Sequence, residues 1–299
     1  MTYLQKGQVS TLNPNEQQWT TVVKPRTGWF DIDLKELWHY RDLVTLFTKR
    51  NFAVIYKQTI LGPLWLLLNP LITTILFNVI FGGIAGLPTE GAPSFLFIMA
   101  GNTLWTMFAA CINNTANTFV ANAGMFGKVY FPRLTIPLSQ VLTAAINFFI
   151  QFAMFLVFWV IFFFNQETFG ALTMTGWVVY LPVCIIQVML LGLAVGIIVS
   201  SLTTKYRDLA IAVTFGVQLW MYATPVVYST TSLSNQPVLS AIVNLNPMTA
   251  PVQAFRMALL GCGSVSVSGL WYSLAVTAVL LIIGVVLFSR IEKTFMDTV

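Results

Sequence analysis

Residues 136–164 read IPLSQVLTAAINFFIQFAMFLVFWVIFFF, an unbroken run without a charged side chain. A hydrocarbon layer about 30 Å thick takes roughly 20 helical residues, so this run is long enough to cross it with some tilt. The rest of the chain is of the same kind. Of its 299 residues 57% are hydrophobic and only 8% are charged, and the mean hydropathy is +0.79. A soluble domain carries about 25% charged residues. This composition therefore excludes a soluble globular enzyme, a disordered chain and a disulfide scaffold, and leaves a membrane protein with several spans.

Working outward from 136–164, five more stretches pass the length test: 62–82, 94–119, 177–202, 209–228 and 268–289. The expected fold is all-α with six transmembrane helices. Eight basic residues, Lys6 to Lys57, precede the first span. Lys128 and Arg133 lie between the second and third, Lys205 and Arg207 between the fourth and fifth, and Arg290 and Lys293 after the sixth. The alternate loops near 83–93 and 165–176 carry Glu90 and Glu167 and no Lys or Arg. Cytoplasmic loops collect Lys and Arg, so both termini are expected in the cytoplasm. The polar N-terminal stretch has no basic-then-apolar opening, and no cleavable signal is expected there.

Two regions are not simple spans. In 33–50, Asp33 and Glu36 have capping-box spacing, and Leu37, Tyr40, Val44 and Phe47 share a face opposite Lys35, Asp42 and Lys49. This predicts an amphipathic helix, either lying among headgroups or packed on another subunit. The second region, 229–267, is too polar to span and too apolar to be a free loop. Its prolines divide it into two expected half-helices, Val238 to Leu245 and Pro251 to Leu260, which form a re-entrant pair before the last span. Arg256 falls within it. It points either to a functional opening or buried carboxylate, or to a phosphate headgroup.

The resulting organisation is a cytoplasmic tail (1–30), an amphipathic helix (31–60), a six-span domain (61–289) and a cytoplasmic C-terminus (290–299). The six-span domain contains a cytoplasmic loop at 120–135 and the re-entrant region at 229–267.

Catalytic signatures are missing. Gly124-x-x-Gly127-Lys128 has the wrong glycine spacing for a phosphate loop, and Val129 stands where a Ser or Thr is required. If ATP is used, another polypeptide must bind it. Cys111, Cys184 and Cys262 are isolated and His39 is the single histidine, so no metal site or catalytic residue is expected. No acid lies within the spans, which weighs against ion coupling. Gly192-x-x-x-Gly196-x-x-x-Ser200 favours close helix packing, more naturally within one bundle than as a dimer seam.

Several segments carry a resemblance. They are Tyr40-Arg41-Asp42-Leu43, Tyr56-Lys57-Gln58-Thr59-x-Leu61-Gly62-Pro63-x-Trp65, Lys128-Val129-Tyr130-Phe131-Pro132-Arg133, Tyr206-Arg207-Asp208-Leu209 and Asn244-x-Asn246-Pro247. Together they resemble the membrane subunit of ABC-2 type exporters, in particular the polysaccharide, O-antigen and teichoic-acid permeases. The resemblance implies a homodimer in the bacterial inner membrane. Each copy would bind a separate ABC ATPase that holds ATP and Mg, while the chain itself binds no cofactor and no nucleic acid. Lys128, Tyr130, Phe131, Pro132 and Arg133, with Tyr206, Arg207 and Asp208, would then couple to the ATPase. Tyr130 and Phe131 are expected to be exposed there, ready to fill a groove on the partner.

A lipid-linked glycan substrate would need a polar, aromatic path open sideways to membrane lipid. Candidates are Trp105, Phe108, Asn113, Asn114, Trp220, Tyr222 and Tyr228, with Asn246, Pro247 and Arg256 as a periplasmic gate that leaves Arg256 reachable from outside. A drug or small-lipid exporter of the same architecture, and an integral-membrane glycosyltransferase or ligase, are the competing readings.

The charge bias makes a topological prediction. In a cysteine-free background, cysteines at positions 128 and 205 should resist a membrane-impermeant maleimide in intact cells, and one at 167 should react. Labelling of position 128 from outside would overturn the orientation.

Overall fold

The structure is a computed structural model that describes residues 34–57, 61–126, 128–165, 172–206, 208–233 and 235–298. The expected capping residue Asp33 and the loop residues Glu167 and Arg207 lie outside them. The described chain is helical. In order it runs α1 (Leu34–His39), α2 (Arg41–Tyr56), α3 (Trp65–Phe77, continued by a π-helical stretch Asn78–Ile84), α4 (Ser94–Ala116), α5 (Thr118–Phe126) and α6 (Thr135–Phe164). Then follow α7 (Leu181–Thr203), α8 (Leu209–Tyr222), α9 (Pro237–Leu245), α10 (Thr249–Leu260) and α11 (Val267–Thr298).

Among the described residues five helical segments are long and apolar enough to cross a membrane: Gly62–Ile84, Ser94–Ala116, Thr135–Phe164, Gly176–Thr203 and Val267–Ile291. The expected fifth span, 209–228, is different. Its helix, α8, has 14 residues and stops at Tyr222, which at 1.5 Å per residue is about 21 Å. Pro225 ends it, because the residue before a proline is pushed out of helical geometry. Hydropathy ran on through Val226, Val227 and Tyr228, since apolar side chains do not report a turned backbone.

α4 and α7 form the enclosed centre, flanked by α6 and α11. Small residues bring them together. A Cβ on Gly192 would stand 2.6 Å from Cys111 Cβ, and one on Gly196 would stand 2.7 Å from Thr115 Cβ. The glycine ridge of α7 is therefore a seam within one chain. The outer helices turn apolar side chains outward: Ile72, Ile75 and Leu76 on α3, Val157 and Val160 on α6, Ile211, Phe215 and Leu219 on α8, and Ile282 and Ile283 on α11. So large an exposed apolar surface suits hydrocarbon or another subunit, not water.

The two ends of the bundle differ. At one end Thr203 Oγ1 donates to Ala116 O at 2.7 Å, and the rings of Phe119 and Phe288 lie 4.6 Å apart. α2 packs there as well. Val44 and Phe47 are buried, Phe47 meets Phe131 at 5.8 Å, and Thr48 Oγ1 donates to Val44 O with a longer contact to Ser139 O. The amphipathic face predicted in 33–50 is thus covered by this chain's own α6 and preceding loop. The helix also breaks at Tyr40, which separates α1 from α2. At the other end Trp159 Nε1 donates to Leu259 O at 2.7 Å, tying α6 to α10.

The α4–α7 seam yields a prediction. Gly196→Leu forces bulk against Thr115, and overpacking of this kind costs about 1–3 kcal/mol. The purified variant should melt at lower temperature in detergent, whereas Gly216→Leu, with open space around its Cβ position, should not.

Candidate functional site

Prolines and carbonyls build the region between α8 and α11. Asn246, held before Pro247, takes an extended conformation (φ −75°, ψ 120°), which separates α9 from α10. Pro237 opens α9 and Pro251 lies in the first turn of α10, where a missing N–H costs nothing. The two short helices match the expected pair within two residues at each boundary.

α10 is buried almost throughout, so its terminal carbonyls need donors inside the protein. Thr175 Oγ1 donates to Met257 O at 2.7 Å, Thr175 N to Ala258 O at 3.2 Å and Trp159 Nε1 to Leu259 O. Gly261 follows in left-handed geometry (φ 68°), as a helix C-terminus favours.

Arg256 sits on this helix and is only 3% exposed. Its Nη1 donates to Pro225 O at 2.7 Å and weakly to Tyr228 O, Nη2 to Val226 O, and Nε to Phe97 O at 3.2 Å. The guanidinium also lies 3.5 Å from the centre of the Phe97 ring. This corrects the expectation that Arg256 is reachable from outside. Neither an opening nor a headgroup receives it; it binds the main chain of the turn that Pro225 creates and ties that turn to α4 and α10. Gly101 makes the approach possible, since a Cβ there would meet Val226 O at 2.6 Å and Arg256 Nη2 at 2.7 Å.

Asn246 completes the knot. Its Oδ1 accepts from Trp220 Nε1 at 3.1 Å and Met248 N at 3.0 Å, while Nδ2 donates to Ala223 O at 3.1 Å and Thr224 Oγ1 at 2.7 Å. The Pro247 carbonyl accepts from Ser273 Oγ on α11.

Sequence reasoning missed Glu90 here. It adopts φ 57° in the loop before α4, and its carboxylate accepts from Ser229 Oγ and from Thr231 Oγ1. Glu90 also lies within electrostatic range of Arg256 and Cys262. Burial pushes the Cys262 thiol up to about 11, with Arg256 pulling the other way. A lone glutamate in an otherwise neutral outer loop was the available signal.

The path candidates divide. Trp105, Phe108 and Trp220 are brought together, with Phe108 5.3 Å from Trp105 and 5.1 Å edge-on to Trp220. Trp105 and Phe108 are buried and pack as part of the core of one chain. Asn114 and Tyr222 are exposed, Asn113 is half-buried, and Tyr228 donates from its hydroxyl to Tyr222 O.

At the opposite end, Lys128 and Tyr130 are exposed on the loop after α5, and Tyr130 OH donates to Glu36 Oε1 at 3.2 Å. Phe131 is not the exposed aromatic expected. It is buried between Phe47 and Phe126, and Arg133 is also buried, stacked 5.3 Å from the Phe126 ring. Pro132 between them is half-buried. An aromatic next to basic residues reads as a surface until the ring of α2 that covers it is known. Lys205, Tyr206 and Asp208 are exposed in the second loop of this end, with the Lys205 ammonium 5.3 Å from the Tyr206 ring.

The family model of the ABC-2 type transporter matches residues 42–260. Two curated relatives, each named O-antigen export system permease protein RfbA from Klebsiella pneumoniae, are 26% identical over 257 residues, covering 86% of this chain and 94% of theirs. A protein of the same name from Myxococcus xanthus is 26% identical over 223 residues, covering 75% of this chain and 82% of its own.

The Arg256 geometry predicts a stability phenotype. Arg256→Met strands carbonyls in an apolar interior, so it should destabilise the purified protein by about 2–4 kcal/mol. Arg256→Lys should not restore it, because an ammonium cannot reproduce the planar fork. Wild-type melting of both variants would remove the structural role.

Proposed function

The chain belongs to the ABC-2 type transporter family, and from that premise we propose that it exports a lipid-linked, O-antigen-like polysaccharide across the bacterial inner membrane. As a member of that family it is a multi-pass membrane subunit of a transporter. The observation that carries the glycan reading is the similarity to permeases named for O-antigen export along 86% of the chain.

In this reading ATP and Mg are held by a separate ATPase subunit. That partner docks on the end where Lys128, Tyr130, Lys205 and Tyr206 stand exposed. Phe131 acts from beneath by packing on Phe47 of α2 and Arg133 by stacking on Phe126 of α5, so that a push on the loop moves a packed unit. Arg207 and Asp208 belong to the same docking face by sequence.

The sixth crossing is α8 with the turn that follows it. Its start lies near the Thr203 end of the bundle, and Arg256 binds its continuation at the other. α8 buries only Val217 and exposes Thr214 and Gln218 beside Phe215 and Leu219. Such a mixed face suits a second copy of the chain, with the glycan passing between copies along Asn114 and Tyr222. Aromatic and amide groups hold sugar faces and hydroxyls without demanding one hydroxyl pattern. The α9–α10 pair, with Asn246, Pro247 and Arg256, closes the periplasmic end as a re-entrant cap.

The test is reconstitution with the ATPase encoded beside it. Lipid-linked glycan should stimulate ATP hydrolysis in proteoliposomes; stimulation by hydrophobic drugs alone would sink the glycan reading. Lys128→Glu with Lys205→Glu should weaken ATPase association by roughly fivefold per charge, at about 1 kcal/mol each, while the permease stays inserted. Unchanged association would move the docking face elsewhere.

A further inference from the structure

A second polar feature lies away from both ends. Between α3, α4 and α6 is a cavity of about 330 Å³, within the range of small-molecule sites. Four amide side chains line it, Asn69, Asn102, Asn147 and Gln151, together with Thr106 and the Trp65 indole. Among the described residues its walls carry no Lys, Arg, Asp or Glu. On α4 and α6 its residues come from mid-helix, and on α3 from the first half, Trp65 to Thr73.

Gln151 is not fully used by the fold. It is 4% exposed, and its Oε1 accepts no hydrogen bond from the protein. Asn102 Nδ2 makes only long contacts, 3.4 Å to Pro70 O and 3.3 Å to Thr74 Oγ1. The Thr106 hydroxyl donates to Asn102 O at 2.8 Å, which leaves its oxygen to accept. Buried polar atoms are normally paired, so an unpaired acceptor on a residue that lines a cavity leaves a donor's place open.

We propose that this cavity is a binding site for an uncharged, hydroxyl-rich group, a sugar ring. The lining selects that class. A phosphate needs cations or free helix N-termini; the walls hold no cation, and the Trp65 N–H at the start of α3 is taken by the Gly62 and Pro63 carbonyls. An acyl chain would leave Gln151 Oε1 without a donor. A bare ion is far smaller than the space, given that a water's share of volume is about 30 Å³. A polyol supplies donors and acceptors together, as amides require, and its C–H face fits an indole. The ring could be part of a passing glycan or the headgroup of a bilayer glycolipid. Assigning it to the exported chain rests on the proposed function, whereas the existence of the site does not.

The experiment uses the full chain in lipid nanodiscs without nucleotide. Monoglucosyl diacylglycerol and plain diacylglycerol are added in equal amounts, and retained lipid is counted by native mass spectrometry. The wild type should retain the glucosyl lipid at least about tenfold over its control, because a site built for hydroxyls rejects the analogue lacking them. Gln151→Met and Thr106→Val should each reduce the preference to about twofold or less while melting like the wild type. Equal retention of both lipids by the wild type overturns the proposal. So does a preference that survives both substitutions. A Gln151→Met variant that melts lower while the wild type shows no preference marks ordered water only, which also overturns it. Displacement by soluble maltotriose assigns the ring to a free glycan, and displacement by glucosyl lipid alone assigns it to a headgroup; either outcome supports the site. Glycan-stimulated ATP hydrolysis is read separately, so failure of this site leaves the transport reading standing.

Discussion

Non-helical backbone inside an apolar bundle must find donors within the protein. Here that constraint falls on one guanidinium. Once Pro225 stops α8, the carbonyls of Pro225, Val226 and Tyr228 have no helical partners, and Arg256 reaches all three while holding Phe97 O of α4. Pro225 makes the turn and Arg256 pairs its carbonyls, and Arg256 tolerates burial because the turn and the Phe97 ring surround its charge. Gly101 leaves the room, and Asn246 repeats the solution one step along the chain by bonding Ala223 and Thr224. The α8–α11 connection is thus one hydrogen-bonded unit anchored on α4.

Much of this architecture was legible in the sequence. Five of the apolar runs became helices of spanning length because length and hydropathy are additive along a chain. The division of 229–267 into two short helices followed from proline, whose effect on its own and the preceding residue is local. The basic loops gathered at one end for the same reason that they were countable. What stayed hidden depends on contacts distant in sequence. Phe131 looked like surface until α2 lay over it, Arg133 until the Phe126 ring met it, and Arg256 pointed to an opening, a buried carboxylate or a headgroup until three carbonyls from a broken helix converged on it. Glu90 was an isolated acid until Ser229 and Thr231 turned toward it. The α3–α4–α6 cavity gave no signal because neutral amides hardly change hydropathy.

The chemistry of the two ends differs accordingly. At the Lys128 end, charges stand on exposed loops above buried rings, an arrangement that can be gripped by another protein and transmit force into α2 and α6. At the Arg256 end, charge is enclosed and spent on the backbone, an arrangement that holds a shape. Between them the described interior is neutral, and its polar groups are amides and hydroxyls.

The glycine ridge and the poorly buried α8 complete this division of labour. α7 is locked to α4 along Gly192 and Gly196, so that seam cannot slide without clashing at Cys111 and Thr115. α8 has no comparable seam: one buried residue in fourteen leaves it held chiefly at its ends, by the loop after α7 and by the Arg256 knot. A helix with so little buried surface can change its lateral partner at small cost to the core. α8 is therefore a helix with much of its side-chain surface left for a lateral partner, while α4 and α7 are held to each other.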